Sequence, residues 1–358
     1  MRLRALAKIN LGLDILRKRE DGYHEVRMIM QTIQMYDVLE MKRVRKPGIS
    51  LSVNYSYIPN DERNLVYKAA KLLMDEFQVK GGVDIHLEKF IPVAAGMAAG
   101  IKYKNGKKDM AMVFSEKPCV TAGTFTLNRV FAAPVKWDKS IVYSEEGAHA
   151  IVVNSGVANA CTGTEGDEAC ALEAKTAGEV LGVPAKSVLL GSTGVIGMQL
   201  PMDRMCAGIK ALPELLDSTK EAGTLAAEAI MTTDTRNKQV ACTVEIGGKT
   251  VTVGGMCKGA GMIHPHMATM LCFITSDAVI DKKALQKMTS DIVEDSFNMI
   301  SVDGDTSTND TVLVLANGEA GNEKITEESK DYDTFYEALS YVLTELSKMI
   351  AGSRRPSG

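Results

Sequence analysis

The stretch Lys258-Gly259-Ala260-Gly261-Met262-Ile263-His264-Pro265-His266-Met267-Ala268-Thr269-Met270-Leu271-Cys272-Phe273-Ile274-Thr275-Ser276-Asp277-Ala278 decides how this chain is read. It opens on a cation beside glycines, passes a proline that fixes the backbone, and carries Thr269 into an apolar run rich in β-branched and aromatic residues. Such a run reads as a fully buried strand. Thr269, at its mouth, has two readings. One is a threonine in a strand, where β-branched residues fit. The other is a nucleophile that first cleaves the chain before itself. The new α-amine, with an ordinary pKa of about 7.7–8, then serves as base for its own hydroxyl. His264 and His266 flank Pro265 near that hydroxyl and suit either a Ser-His type of base or a packing role in the loop.

Working upstream, Val240 to Ile246 and Thr250 to Val253 form a hairpin around Gly247-Gly248, a two-residue loop that tolerates positive φ. Lys258 follows, either as a solvated turn lysine or as an ammonium able to hold a carboxylate. Glu221 to Ile230 reads as a small-residue helix, with Met231-Thr232-Thr233-Asp234-Thr235 after it. Val188 to Leu190 reads as a short buried strand feeding Gly191-Ser192-Thr193-Gly194. A threonine followed by glycine there is either a plain turn or a pair that aims a hydroxyl and an amide at one point, as an oxyanion hole requires. Asp167 to Leu181 is a helix ended by Gly182, and Ala150 to Asn154 is a buried strand running into a Gly-punctuated loop.

Downstream, Asp281 caps a helix with Ala284, Leu285, Met288, Ile292 and Val293 on one face, and Thr311 to Ala316 is a strand. The acids between Ser296 and Asp310 lack the spacing of a calcium loop. After a charged linker, Glu323 to Asp331, Asp333 is expected to cap an amphipathic helix carrying Phe335, Tyr336, Leu339, Val342, Leu343, Leu346, Met349 and Ile350. With only the polar tail 351–358 after it, that apolar face is expected to stay exposed and prone to association.

The segment 258–278 resembles the cleavage segment of the bifunctional glutamate N-acetyltransferase/ornithine acetyltransferase family. The likeness continues through Ala122 to Val130, Ala132 to Val135 and Ala150 to Gly163, and begins near Gly96. The resemblance implies a layered α/β, ornithine acetyltransferase-like fold. It places the cut between Ala268 and Thr269, with Thr269 as nucleophile and Thr193 and Gly194 as the oxyanion hole. Thr232, with Thr235 as the alternative, and Lys258 would hold substrate together with Thr269. The chemistry it implies is ping-pong acetyl transfer from N2-acetyl-L-ornithine to L-glutamate in arginine biosynthesis, with no metal or organic cofactor. Acetyl-CoA is a further candidate donor, and the cleaved α and β chains are expected to assemble, in an α2β2-like manner. A Thr-nucleophile hydrolase with water as acceptor is the rival within the same chemistry. The family continues into a further C-terminal domain with more substrate ligands, for which this chain has no matching residues.

Residues 1 to about 97 read differently. Ala5 to Ile15 alternates like a strand, Asp21 to His24 signals a turn before a strand at Val26 to Ile33, and Asn64 can cap a helix with Leu65, Val66, Ala69, Leu72, Leu73 and Phe77 at helical spacing. With Ile91 to Ala98 they resemble the amino-terminal part of 4-diphosphocytidyl-2-C-methyl-D-erythritol kinase, a GHMP-type kinase. That resemblance implies an incomplete α+β segment, a catalytic role for Lys8, and ATP phosphates held by backbone amides of the glycine loop after Pro92. The family's Gly-Gly-Ser-Ser is missing there, since Ala99-Gly100-Ile101-Lys102 follows. The alternatives are then a small-residue turn in a packing role and Lys8 as a plain strand lysine, with His24 and His86 at the surface. An ATP-dependent kinase, or an inactive fusion of two truncated enzymes, stands as the rival reading of the whole.

The expected division is therefore 1–97 kinase-like, 98–322 acetyltransferase-like with the cut at 268/269, and 323–358 linker, helix and tail. Composition excludes several classes. The 358 residues are 45% hydrophobic and 24% charged, ordinary for a globular chain. Residues 1–97 hold 16 Lys and Arg against 12 Asp and Glu, and the remainder 25 against 33, so neither part suits a nucleic-acid partner. No run approaches a membrane span and Met1-Arg2-Leu3-Arg4 does not begin a signal peptide, so a cytoplasmic protein acting on small molecules is expected. The seven cysteines, none in a CxxC pair, read as reduced core residues.

Overall fold

The computed structural model describes residues 2–18, 24–53, 60–79, 81–88, 93–102, 106–260, 270–300 and 307–352, with the backbone alone for 2–38, 65, 87, 88 and 93. Two units divide the chain, Met1–Ile91 and Pro92–Gly358.

In the first unit β1 (Arg2–Lys18) and β2 (His24–Val44) pair antiparallel, with Lys8 opposite Thr32. A crossover then joins β3 (Gly48–Val53) through α1 (Leu65–Glu76) to a parallel β4 (Gly82–Glu88), giving the order β1-β2-β4-β3. Asn64 caps α1 as its sequence predicts, its side chain accepting from the Val66 amide at 2.9 Å. Leu51 and Ile85 are the buried centre of this unit among the described side chains. Asp21 to Tyr23 lie outside the described residues.

The second unit is built on β6 (Met110–Phe125), a strand long enough to serve two sheets. Its first half pairs with β5 (Val93–Met97) and β7 (Ala148–Val157), and β7 pairs in parallel with β8 (Val188–Val195). After a register shift between Phe114 and Cys119 its second half pairs with β12 (Thr311–Ala316). From there the order runs through β11 (Leu271–Ser276) and β10 (Lys249–Lys258) to β9 (Lys238–Ile246). The two halves meet face to face: a Cβ added at Gly191 on β8 would stand 2.9 Å from Phe273 on β11. Ile151, Val153 and Leu189 share one core with Leu271, Phe273 and Leu313. Burial on both faces explains why β11 and β12 read as unbroken apolar runs.

Helices cover the outsides. α2 (Ala133–Val142) and α3 (Gly163–Leu181) lie over β8, and α6 (Lys282–Glu294) and α7 (Tyr332–Ala351) over β6, β9 and β10. α4 (Met202–Ala211) packs on α3, and α5 (Lys220–Ala229) packs on β5 closely enough that a Cβ on Gly96 would reach 2.1 Å from the Leu225 carbonyl.

Several expectations need correction. The strand at Val188 continues to Val195, so Thr193 and Gly194 belong to a strand and not to a turn after it. α3 begins at Gly163, four residues before Asp167. Asp331 occupies the N-cap of α7 in place of Asp333, and its side chain makes no capping bond. The apolar face of α7 is covered: Phe335, Leu339, Val342, Leu343 and Leu346 are all fully buried in the core shared with β9 to β12. Cys161 is exposed, at φ 57°, and the other six cysteines are wholly or partly buried and unpaired.

Candidate active site

The ends of β8 and β10 and the starts of β11 and β12 converge on one end of the second unit, and most of the polar residues singled out from sequence stand there. β7 and β8 bring Gly156 beside Gly194 in register. Gly194 has φ 139°, and a Cβ there would lie 2.3 Å from the Gly156 carbonyl, so only glycine lets the two strands close this far. Thr193, one residue earlier, is 4% exposed.

Lys258 is the last residue of β10, paired with Leu271, the first of β11. Its register in the sheet, not a loop, points the side chain inward, where Nζ donates to Thr193 Oγ1 at 3.1 Å. Lys258 is only 2% exposed. Burial pushes its pKa below the usual lysine value, while the Asp234 and Asp310 carboxylates pull it back up. Thr193 accepts from Lys258 and so keeps its own hydroxyl proton to donate elsewhere.

Asp234 organises the other side of Lys258. Its Oδ1 accepts from Lys238 Nζ and, at 2.8 Å, from the Gly259 amide, and its Oδ2 accepts from the Thr232 amide at 3.1 Å. The Asp234 and Lys238 side chains are both fully enclosed. Burial opposes charge on Asp234, but Lys258, Lys238 and the Gly259 amide outweigh it and hold its carboxyl below the ordinary range. Thr232 enters this cluster through its backbone, while Thr235 is exposed.

Asp310, just before β12, ties the start of β11: its Oδ1 accepts from the Met270 amide at 3.0 Å. Its Oδ2 is buried with no hydrogen-bond partner among the described residues. Burial raises this carboxyl to about 7 against the pull of the Met270 amide, Ser307 and Lys258. Asn309 beside it donates to the Ser192 carbonyl at 2.9 Å, so the 309–310 pair stitches β8 to the entry of β11.

Ala268 and Thr269 lie outside the described residues, as do His264 and His266. Thr193, Gly194, Lys258 and Thr232 are brought to one end of the sheets, and Met270, next to Thr269 in the chain, is anchored beside them. Sequence reading assigned no role to Asp234, Lys238 or Asp310. Asp234 lies in a loop and Lys238 opens β9, so their spacing of four residues carries no helical pairing signal, and nothing local marked Asp310 either.

The glycine loop after Pro92 has a different use from phosphate binding. Asp109, fully buried, accepts the amides of Ala99 and Ile101 at 2.6 Å and of Lys102 at 2.9 Å. A carboxylate of the chain itself occupies the place an anion would take. Lys8 lies in β1, but its side chain is outside the description.

Known proteins give this geometry a context. The arginine biosynthesis bifunctional protein ArgJ of Symbiobacterium thermophilum is 53% identical to this chain over 260 residues, 72% of this chain and 64% of that protein. The chain thus spans about 64% of the length of that relative. A crystal structure of the Bacillus halodurans ArgJ protein, 39% identical, covers 51% of this chain and 91% of its own at a TM-score of 0.47. A crystal structure of 4-(cytidine 5'-diphospho)-2C-methyl-D-erythritol kinase, 38% identical, covers 26% of this chain and 32% of its own at a TM-score of 0.22. The ArgJ family itself matches residues 93–353, almost the whole of the second unit, and to that family the chain belongs.

Proposed function

We propose that this chain is an acyltransferase of arginine biosynthesis that moves the acetyl group of N2-acetyl-L-ornithine to L-glutamate. Thr269, released by cleavage after Ala268, attacks the acetyl carbonyl, and the oxyanion develops against Thr193 and Gly194 while ornithine leaves. Glutamate then takes the acetyl group from the acyl-threonine. Thr232 and Lys258 hold substrate, and no metal or organic cofactor enters, with acetyl-CoA as a second candidate donor. The observation that carries this reading is the 3.1 Å hydrogen bond from Lys258 to Thr193, two residues 65 apart in the chain, beside the anchored Met270.

The proposed organisation is a kinase-like segment over 1–97, an acetyltransferase-like domain over 98–322 cut at 268/269, and a linker, helix and tail over 323–358. In this organisation the cleaved chains associate in the α2β2 manner. Among the described residues no helix is long and apolar enough to cross a membrane. The proposed place of action, on small molecules, is the cytoplasm.

Denaturing electrophoresis and intact mass test the reading together with acetyl transfer. Pieces 1–268 and 269–358 are expected, and Thr269→Ala should leave one uncut chain. A wild-type chain that stays whole after prolonged incubation would falsify the acetyltransferase reading. Acetyl release indifferent to added glutamate would instead identify a hydrolase. ATP consumption with a diphosphocytidyl-methylerythritol substrate would identify the kinase.

A further inference from the structure

Lys258 is enclosed to a degree that a substrate-gripping lysine does not need. It is 2% exposed, its ammonium donates to Thr193 Oγ1 at 3.1 Å, and the carboxylates of Asp234 and Asp310 face it. The residue after it is pinned as well, since the Gly259 amide donates to Asp234 Oδ1, and Lys238 holds that same oxygen. The Asp234 side of the lysine is thus held in place, and the ammonium's hydrogen bond goes to the Thr193 hydroxyl, whose orientation it fixes.

That arrangement has a chemical consequence. A hydroxyl that accepts from a cation is polarised, and with its lone pair engaged, its proton is directed away from the cation. A preoriented donor stabilises a developing oxyanion without having to reorganise. We propose that Lys258 is a positioning residue that acts through Thr193, fixing and polarising its hydroxyl as the side-chain donor of the oxyanion hole. This rests on the reading of Thr269 and Thr193 given above. It assigns Lys258 work even in a step with no free substrate, because attack of Thr269 on the Ala268 carbonyl also produces an oxyanion.

Self-cleavage therefore separates the two roles. Precursor freshly refolded from denaturant is followed by intact mass at neutral pH, with the urea midpoint of each variant measured alongside. Thr193→Val is expected to slow cleavage by about 10²–10³-fold, the usual loss for one oxyanion donor. Lys258→Met should slow it at least ten-fold, and Lys258→Arg, which keeps a cationic donor, should recover part of that loss. The double variant Lys258→Met, Thr193→Val should cleave no more slowly than Thr193→Val alone, because the lysine has nothing left to act on. Lys258→Met cleaving at the wild-type rate, or losses that multiply in the double variant, would overturn the proposal while leaving the Thr269 reading standing.

A wild type that never cleaves removes both. If Lys258→Met does not fold, the alkaline limb of the wild-type rate decides. Burial lowers the Lys258 pKa, with Asp234, Asp310 and Cys257 opposing that shift, Lys238 reinforcing it and Lys102 repelling Lys258, so cleavage should slow as the ammonium is lost and Thr193→Val should lack that limb. A wild-type rate with no alkaline decline refutes the assignment.

Discussion

Two amphipathic helices, α1 in the first unit and α7 in the second, carry similar stripes of apolar residues and have opposite fates. In α7 the stripe is buried against β9, β10 and α6, with only Tyr336 and Met349 at its margins half-buried. In the first unit Leu72 and Leu73 of α1 stand 68% and 57% exposed, and Phe77 at its C-cap 72%. Sequence reasoning expected the reverse for α7. A 3.6-residue period reports that a helix has an apolar side, not that anything covers it. What differs is the partner: α7 meets the face of a sheet that is itself buried on its other side, whereas the described core of the first unit holds two buried residues, Leu51 and Ile85.

This contrast can be broken by measuring where substitutions hurt. The largest loss is expected from Leu343→Ala on α7, about 4 kcal/mol in urea denaturation, since a fully buried leucine leaves a cavity. A cost below about 1 kcal/mol would mean that α7 is not covered in solution. Lys238→Met comes next, at about 3 kcal/mol, because it deprives the enclosed Asp234 of its closest counter-charge. A neutral result would show that Lys258 alone suffices to hold that carboxylate.

Glu173 on α3 sharpens the picture through pH. It is fully enclosed, and burial raises its carboxyl to about 8. The folded chain thus keeps a proton that the unfolded chain loses above about 4.5, so the stability contribution falls as pH rises from there to about 8. Glu173→Gln should therefore gain on the wild type by about 2 kcal/mol between pH 5 and 7, read from thermal or urea midpoints at each pH. A pH-independent difference would mean that water reaches the carboxyl. The smallest effect belongs to Phe77→Ser, within about 0.5 kcal/mol, as for an exposed side chain away from any packed feature. A loss of several times that would show that the side chain is covered in solution.

Local signals are legible at several places where the chemistry lies within a few residues, though not at the start of α7, where Asp331 stands at the N-cap in place of Asp333. Asn64 and Asp281 cap α1 and α6 through their own side chains, and Gly247-Gly248, at φ 57° and 74°, turns the β9–β10 hairpin. The buried face of α6, Ala284, Leu285, Met288, Ile292 and Val293, follows its period. Misreadings came where a local pattern has two outcomes. Gly191 to Gly194 looks like a turn, yet the small residues serve close approach between strands and between sheet faces. The glycine loop before Lys102 looks able to hold phosphate, yet Asp109 fills it, and no periodicity relates a carboxylate to amides seven to ten residues earlier.

The chain by itself specified the caps of α1 and α6, the β9–β10 turn, its buried strands and the identity of a threonine worth asking about, because each of these depends on neighbours within one or two turns of backbone. The meeting of Lys258 with Thr193, 65 residues apart, and of Asp310 with Met270, 40 apart, was decided only when the order of β8, β10, β11 and β12 was set. Sheet pairing converts distant positions into neighbours, and in a dry interior the charges it gathers must find one another or stay unpaired at a cost. That constraint acts on the folded whole, so no window of sequence contains it.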